Sequence, residues 1–197
     1  MDERTLADLQ NSYDRVAQEY VRRIYDELQY KPLDRELLDR FADSVRERGV
    51  AGDMGCGPGH VARYLHERGV QVVGVDLSPV MLEHARQLNP GIDFIQGNML
   101  ALDVPDRAWS GIAAFYSIIH VPRDEVVNAL REWQRVLQPH GLVMIGLHRR
   151  SISMSQSEVG AQWQKLCEER EAARDGHFRT DAAGPSNQRY SRFIVAT

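Results

Sequence analysis

The feature that most constrains this chain is a glycine-rich turn, Asp53-Met54-Gly55-Cys56-Gly57-Pro58-Gly59, set between an apolar stretch and an amphipathic one. Residues 50–54 before it read as a short strand. Those after it, from about His60 to Glu67, read as a helix stopped by Gly69. Glycines at such a junction let the backbone turn sharply and approach a ligand closely, and the next helix presents its N-terminal N–H groups to negative charge. Residues 70–76 form a second strand ending at Asp76, whose carboxylate is placed to accept hydrogen bonds from two ribose hydroxyls. A glycine turn alone is often only a turn, and an acid at a strand end is often only solvated. The two in register within one βαβ unit describe a nucleoside pocket.

The rest of the chain supplies the frame for that unit. Leu6, Leu9, Tyr13, Val16, Ala17, Tyr20, Ile24 and Leu28 recur at three- and four-residue steps, which predicts an amphipathic helix interrupted by Pro32. A second helix follows through Leu33, Leu37, Leu38, Phe41 and Val45 to Gly49. Ser78 is placed as the N-cap of a later helix with Pro79 in its first turn. Residues 92–95 and 111–119 read as the third and fourth strands. A helix from Pro122 carries Val126, Leu130, Trp133 and Leu137, is broken at Pro139-His140-Gly141, and leads into a fifth strand at 142–147. Apolar strands alternating with helices of this length predict an α/β fold, a doubly wound, mostly parallel sheet with helices on both faces.

A length of 197 residues with 43% hydrophobic and 26% charged residues fits a single globular domain spanning 1–197. A formal charge of -4 gives no general attraction to nucleic acid phosphates, so no nucleic acid partner is expected. Two cysteines, Cys56 and Cys167, are too few for a disulfide framework or a thiolate metal cage, so no metal is expected. The first residues lack the pattern of a signal peptide, and no stretch is long and apolar enough to span a bilayer; the expectation is a cytoplasmic protein without membrane contact.

The residues Gly57-Pro58-Gly59-His60-Val61-Ala62 also satisfy the dinucleotide pattern G-x-G-x-x-G/A, so the turn by itself permits an NAD-linked oxidoreductase. Asp53 ahead of the loop and a third glycine turn the pattern into D-x-G-x-G-x-G. Further along stand Val73-Gly74-Val75-Asp76-Leu77-Ser78-Pro79, Phe94-Ile95-Gln96-Gly97-Asn98-Met99-Leu100, Phe115-Tyr116-Ser117-Ile118-Ile119-His120 and Arg135-Val136-Leu137-Gln138-Pro139-His140-Gly141. In this order, over about residues 10–148, the chain resembles class I (Rossmann-like) S-adenosylmethionine-dependent methyltransferases of the small-molecule type.

The resemblance implies S-adenosyl-L-methionine as cofactor and S-adenosyl-L-homocysteine as product. It implies that Asp53, Gly55, Cys56, Gly57 and Gly59 form the loop packed on the aminocarboxypropyl part, and that Asp76, with Leu77 beside it, holds the ribose. It implies that Asn98 and Met99 read the adenine. The family usually has an aspartate at the first of these positions; an asparagine carbonyl oxygen still accepts from the adenine amino group, with a modest loss of affinity. Met81 either packs on the adenine or ribose or fills the core as a helical methionine. Residues 1–48 resemble the family's lid helices and 49–148 its cofactor-binding core. Tyr13 and Tyr20, seven residues apart on one helical face, either close over the cofactor or bury against the sheet. Tyr116 is placed to lay its ring near the positively charged sulfonium.

Methyl transfer needs a base only when the acceptor keeps a proton that it must lose. His120, after the fourth strand, and His148, after the fifth, fall at the sheet edge where an acceptor would lie, and either is a catalytic candidate or a structural histidine. There is no Asn/Asp-Pro-Pro-Tyr/Phe motif, no Pro-Cys nucleophile and no set of acceptor cysteines, which leaves a small-molecule acceptor by elimination. A cofactor-binding protein without catalysis is the alternative, and an NAD-linked oxidoreductase is disfavoured by the lack of a Tyr-x-x-x-Lys pair. After His148 the resemblance weakens. Residues 157–174 have the composition of a charged helix, and residues 189–196 resemble a closing strand without a hairpin partner. A shortened fold, a shifted or truncated reading frame and a partner subunit each fit an atypical segment 149–197, and an unpaired edge predicts a homodimer.

Overall fold

The computed structural model describes residues 1–147, residues 161, 162 and 165, and the backbone of 192–196. Helix α1 (Glu3–Ile24) begins at Asp2, whose carboxylate accepts from the Thr5 N–H at 2.7 Å. It ends earlier than the apolar period predicts. Leu28 lies instead in a 3₁₀ turn, Glu27–Tyr30, because Pro32 disfavours the helical conformation at Lys31, which sits at φ -119 and ψ 73. Helix α2 (Pro32–Val45) then starts on its proline.

Strand β1 (Ala51–Met54), helix α3 (His60–His66), strand β2 (Val72–Asp76), helix α4 (Pro79–Leu88) and strand β3 (Asp93–Gln96) follow in strict alternation. Ser78 caps α4 as expected, its hydroxyl accepting from the Met81 N–H at 3.0 Å. Strand β4 (Trp109–Phe115) is shorter than the reading of 111–119: Tyr116 turns to φ 55, and Ile118–His120 form a 3₁₀ turn. Helix α5 (Val126–Val136) is preceded by a short 3₁₀ turn, Arg123–Glu125, where the sequence reading began the helix.

Leu137 belongs to strand β5 (Leu137–Leu147) rather than to α5. The strand passes through Pro139-His140-Gly141 as an irregularity, since its register against β4 jumps from Trp109↔Leu137 to Gly111↔Leu142 and His140 adopts φ 60. Proline has no N–H for the ladder, so the extra residues leave the pairing there. Strand β6 (Arg192–Ala196) corrects the expectation that the closing strand lacks a partner. It pairs directly with β5, antiparallel, from Leu147↔Arg192 to Val143↔Ala196.

Among the described residues the sheet has the order β3-β2-β1-β4-β5-β6, and every neighbouring pair except β5 with β6 is parallel. The chain builds outward from β1 to one edge and then returns to β1's other side, so the order reverses between β1 and β4. Right-handed crossovers therefore place helices on opposite faces. Ile112, Ala114, Val143 and Ile145 pack under α5 with Trp133 and Leu130, while Ala113, Phe115, Leu142 and Met144 pack under α2 and α3 with Leu38, Phe41 and Leu65. The fully buried Trp133 also donates its indole N–H to the Met99 carbonyl at 3.2 Å, tying α5 to the loop after β3. No helix among the described residues is long and apolar enough to cross a membrane.

Candidate functional site

Ligands in open sheets of this kind bind beyond the carboxyl ends of the strands where the order reverses. At that place, between β1 and β4, a cavity opens to solvent. Its floor is made by Gly55 and Gly57 after β1, by Asp76, Leu77 and Met81 after β2, and by Asn98 and Met99 after β3. Tyr116 and Ser117 after β4 form its far wall, and His120 stands further along the same wall. Its roof is one face of α1, with Leu6, Leu9, Tyr13 and Tyr20.

The loop takes its shape from its glycines. Gly55 sits at φ 66, and a Cβ on it would lie 2.3 Å from the Ser117 Cβ, so no side chain fits where β1 and β4 diverge. The Gly57 N–H donates to one Asp76 oxygen at 2.8 Å, and the Ser78 N–H donates to the other at 2.9 Å. Burial pushes the Asp76 carboxyl above the usual carboxylate range, opposed by the backbone N–H bonds of Ser78, Gly57 and Leu77. Each oxygen keeps lone pairs beyond the one these bonds use.

The other three loop residues singled out in the sequence do not line the cavity. Asp53 is buried and accepts from the Ala62 N–H at 2.9 Å, holding α3 against β1; burial pushes its carboxyl up to about 7. Cys56 is a buried free thiol, pushed well up by burial and therefore unreactive. Gly59 is the left-handed N-cap of α3.

Four cavity residues carry more structure than their sequence positions show. The Asn98 side-chain oxygen accepts from the Leu100 N–H at 3.0 Å, so it first shapes its own loop and meets a ligand with its second lone pair. Met81 is both buried and on the cavity wall, which joins its two readings. Tyr116 donates its hydroxyl to the buried Asp34 at 2.9 Å, and Lys31 Nζ lies 4.4 Å from its ring centroid, so a protein cation already covers one face of that ring. Tyr20 stands beside the loop, 3.6 Å from where a Gly57 Cβ would lie, and burial pushes its hydroxyl up in pKa.

The Tyr13 hydroxyl lies 2.5 Å from His120 Nε2, and their rings meet edge to face at 5.2 Å. Desolvation lowers the His120 pKa and favours the neutral ring at pH 7; in its Nδ1–H tautomer Nε2 accepts from the Tyr13 hydroxyl. His148 falls outside the described residues. Sequence reasoning missed Ser117: its buried hydroxyl has no hydrogen-bond partner among the described residues, and it lines the cavity. A buried hydroxyl at a cavity wall calls for a polar partner, a water or a ligand. The only signal for it was its place directly after Tyr116 at a strand end. Also missed was the bond from the Ser78 hydroxyl to Asp14, which clips α1 onto the turn after β2.

Comparison with known proteins bears on the same region. Residues 52–141 match the family described as methyltransferase domain. The malonyl-[acyl-carrier protein] O-methyltransferase of Serratia marcescens is 32% identical over 118 residues, covering 60% of this chain and 44% of that protein. The chain spans about half the length of the curated relatives it matches. Magnesium protoporphyrin IX methyltransferase from Synechocystis PCC 6803, solved with bound SAM, superposes with a TM-score of 0.72 at 18% identity, covering 100% of this chain and 97% of that one. A TehB-like SAM-dependent methyltransferase from Corynebacterium glutamicum gives 0.68 at 18% identity, covering 92% and 97%. These two share the fold.

Proposed function

We propose, from the premise that this chain belongs to the class I S-adenosylmethionine-dependent methyltransferases, that its cavity binds S-adenosylmethionine and that the protein methylates a small molecule. The observation that carries the reading is Asp76, locked to the loop through the Gly57 N–H, in one cavity with Asn98, Met99 and the unpartnered Ser117 hydroxyl. These groups fit the cofactor's polar parts: Asp76 the ribose, Asn98 and Met99 the adenine edge, and the Ser117 hydroxyl with the Gly55–Gly57 backbone the aminocarboxypropyl end. Asp53, Cys56 and Gly59 act on the cofactor through the shape of the loop. When bound, the cofactor supplies a methyl group on a positively charged sulfur that is already a good leaving group.

What remains for the chain is to align the acceptor, exclude water and take up a proton. The α1 roof, with Leu6, Leu9, Tyr13 and Tyr20, does the excluding. His120, neutral and aimed with Nε2 toward the roof, is the proton acceptor.

Calorimetric titration with S-adenosylmethionine, S-adenosylhomocysteine and NADH tests the reading. Binding of the first two is expected, and binding of NADH alone overturns it. His120→Ala is expected to lower turnover by about 10²-fold or more while leaving cofactor affinity within a few fold. Equal loss of both would remove His120 from the chemistry.

A further inference from the structure

We propose that Tyr13 and His120 act as a proton-relay pair, with the Tyr13 hydroxyl meeting the acceptor, and that the acceptor is a phenol. The proposal rests on the methyltransferase reading and deepens it. Its geometric basis is the contact across the cavity: a tyrosine hydroxyl on α1 and an imidazole after β4, 107 residues apart in sequence and 2.5 Å apart in space.

The order of the two groups sets the direction of proton flow. Tyr13 is half-buried in the roof, and His120, desolvated enough to lower its pKa, still keeps a solvent-exposed edge at the rim. An acceptor inside the cavity therefore meets the Tyr13 oxygen first, and His120 is the group that reaches water. A tyrosine that swings aside and merely plugs the empty site is the competing account. The helix that carries Tyr13 is held in place over the cavity, and its ring is held by its neighbours. The next residue, Asp14, is bonded to the Ser78 hydroxyl, and Tyr25 just past the end of α1 bonds the Leu88 carbonyl at 3.1 Å and the Asn89 side chain at 2.8 Å. The Tyr13 ring also packs edge to face on Tyr20 at 5.8 Å.

Burial, and after it the charge of Asp76, raises the Tyr13 pKa, so Tyr13 stays protonated and cannot serve as a standing tyrosinate. It passes a proton instead. As the acceptor O–H bond breaks, its proton goes to the Tyr13 oxygen while Tyr13's own proton moves to His120 Nε2. The freed electron pair on the acceptor oxygen forms the bond to the methyl carbon, and the pair of the carbon–sulfur bond stays on sulfur. The imidazolium then releases its proton to water at the rim.

The relay also selects the acceptor. A carboxylate has no proton to lose at neutral pH and makes no use of it. The proton ends on the His120 imidazole, so the relay works best for an acidic hydroxyl, and a phenol, at about pKa 10, gives up its proton at far less cost than other uncharged hydroxyls. An aliphatic alcohol is far weaker as an acid and fits poorly. Leu6, Leu9 and Val121 offer the apolar surface that an aromatic ring needs.

Two measurements test this on the whole chain. The first uses no ligand: NMR titration of the His120 imidazole in the wild type and in Tyr13→Phe. A hydrogen bond into Nε2 favours the neutral ring, so losing it is expected to move the His120 titration upward. An unchanged titration overturns the pair. The charged and titratable groups that line the cavity with His120 are the Met1 amino group, Tyr13 and Tyr20 from the N-terminal segment, Tyr116 after β4 and Asp76 after β2, and only Tyr13 is altered.

The second measures turnover of phenols, aliphatic alcohols, amines and carboxylates, including a malonyl thioester, by wild type, Tyr13→Phe and His120→Gln. Phenols are expected to react, with kcat about 10²-fold lower in both variants, unchanged calorimetric affinity for S-adenosylmethionine, and loss of the low-pH limb of the wild-type profile. A Tyr13→Phe variant as fast as wild type, or faster, overturns the relay in favour of the plug. A panel in which no phenol reacts overturns the acceptor class. Failure of the wild type to bind S-adenosylmethionine defeats the methyltransferase reading instead, while the NMR result stands by itself.

Discussion

Asp53 is a carboxyl group with almost no solvent contact and, among the described residues, one hydrogen bond, from the Ala62 N–H, and burial pushes its pKa up to about 7. In the unfolded chain it reverts to about 3.9. The native state therefore holds a proton that the unfolded state has lost over the whole window from about pH 4 to 7. A raised native pKa contributes stability that is complete below the unfolded value and disappears as pH climbs through the native one. Three units at 1.36 kcal/mol each put the total change at about 4 kcal/mol, with nothing further lost above about pH 8. In Asp53→Asn the amide oxygen keeps the bond to Ala62, and the new N–H₂ group adds a cost of about 1–3 kcal/mol that does not vary with pH. Urea unfolding followed by circular dichroism at half-unit steps from pH 4.5 to 8.5 separates the two effects. The wild type should lose stability relative to the variant across the window by about 3–4 kcal/mol. Asp76, also raised by burial, titrates in both proteins, and its charge raises Asp53 further, a coupling that the difference curve includes. Parallel curves would mean that Asp53 is ionised throughout, and the burial argument would fail.

Gly55→Ala forces a Cβ to 2.3 Å from Ser117 at φ 66, and should lower stability by about 2 kcal/mol or more, read as a drop in urea midpoint; an unmoved midpoint refutes the close approach. Trp133→Ala empties a fully buried site and frees the Met99 carbonyl; it should cost about 3–5 kcal/mol and weaken cofactor binding, measured by denaturation and calorimetry. We also propose that the chain dimerises, since β6 ends the sheet among the described residues with one side unpaired; sedimentation velocity showing a clean monomer would refute this.

The cofactor side of the site was legible because its parts are local. Gly55, Gly57 and Asp76 lie within one βαβ unit, and the Gly57–Asp76 bond spans only 19 residues. A strand period, a glycine turn and an acid at the next strand end are enough to bring them together. The misplaced boundaries had tertiary causes. Tyr116 leaves β4 because its hydroxyl is drawn to Asp34 on α2, 82 residues away, and no periodicity records that pull. Leu137 continues the helical apolar stripe of α5 yet pairs with Trp109 at the start of β5, so its burial satisfies both patterns and the sheet decides. The closing strand was sought as half of a hairpin, when its partner had already been read as β5.

Asp53 shows a different limit. Its type and position match a loop that holds a cofactor, yet its carboxylate turns to the Ala62 N–H and away from the cavity. A motif identifies which residues a local geometry needs without saying whether each one serves the ligand or the loop. The acceptor side has the opposite problem. Tyr13 and His120 belong to no common motif, and the sequence, which marks one as a lid residue and the other as a candidate base, does not pair them. Their chemistry exists only because Ser78 clips α1 over the strand ends and the turn after β4 lifts an imidazole to the rim. On the proposed methyltransferase reading, donor recognition rests mostly on backbone and one carboxylate, which short stretches of chain can encode. Acceptor recognition on that reading is side chain against side chain across the whole domain, which is why the motifs point to a methyl donor and only the folded cavity bears on what would receive the methyl.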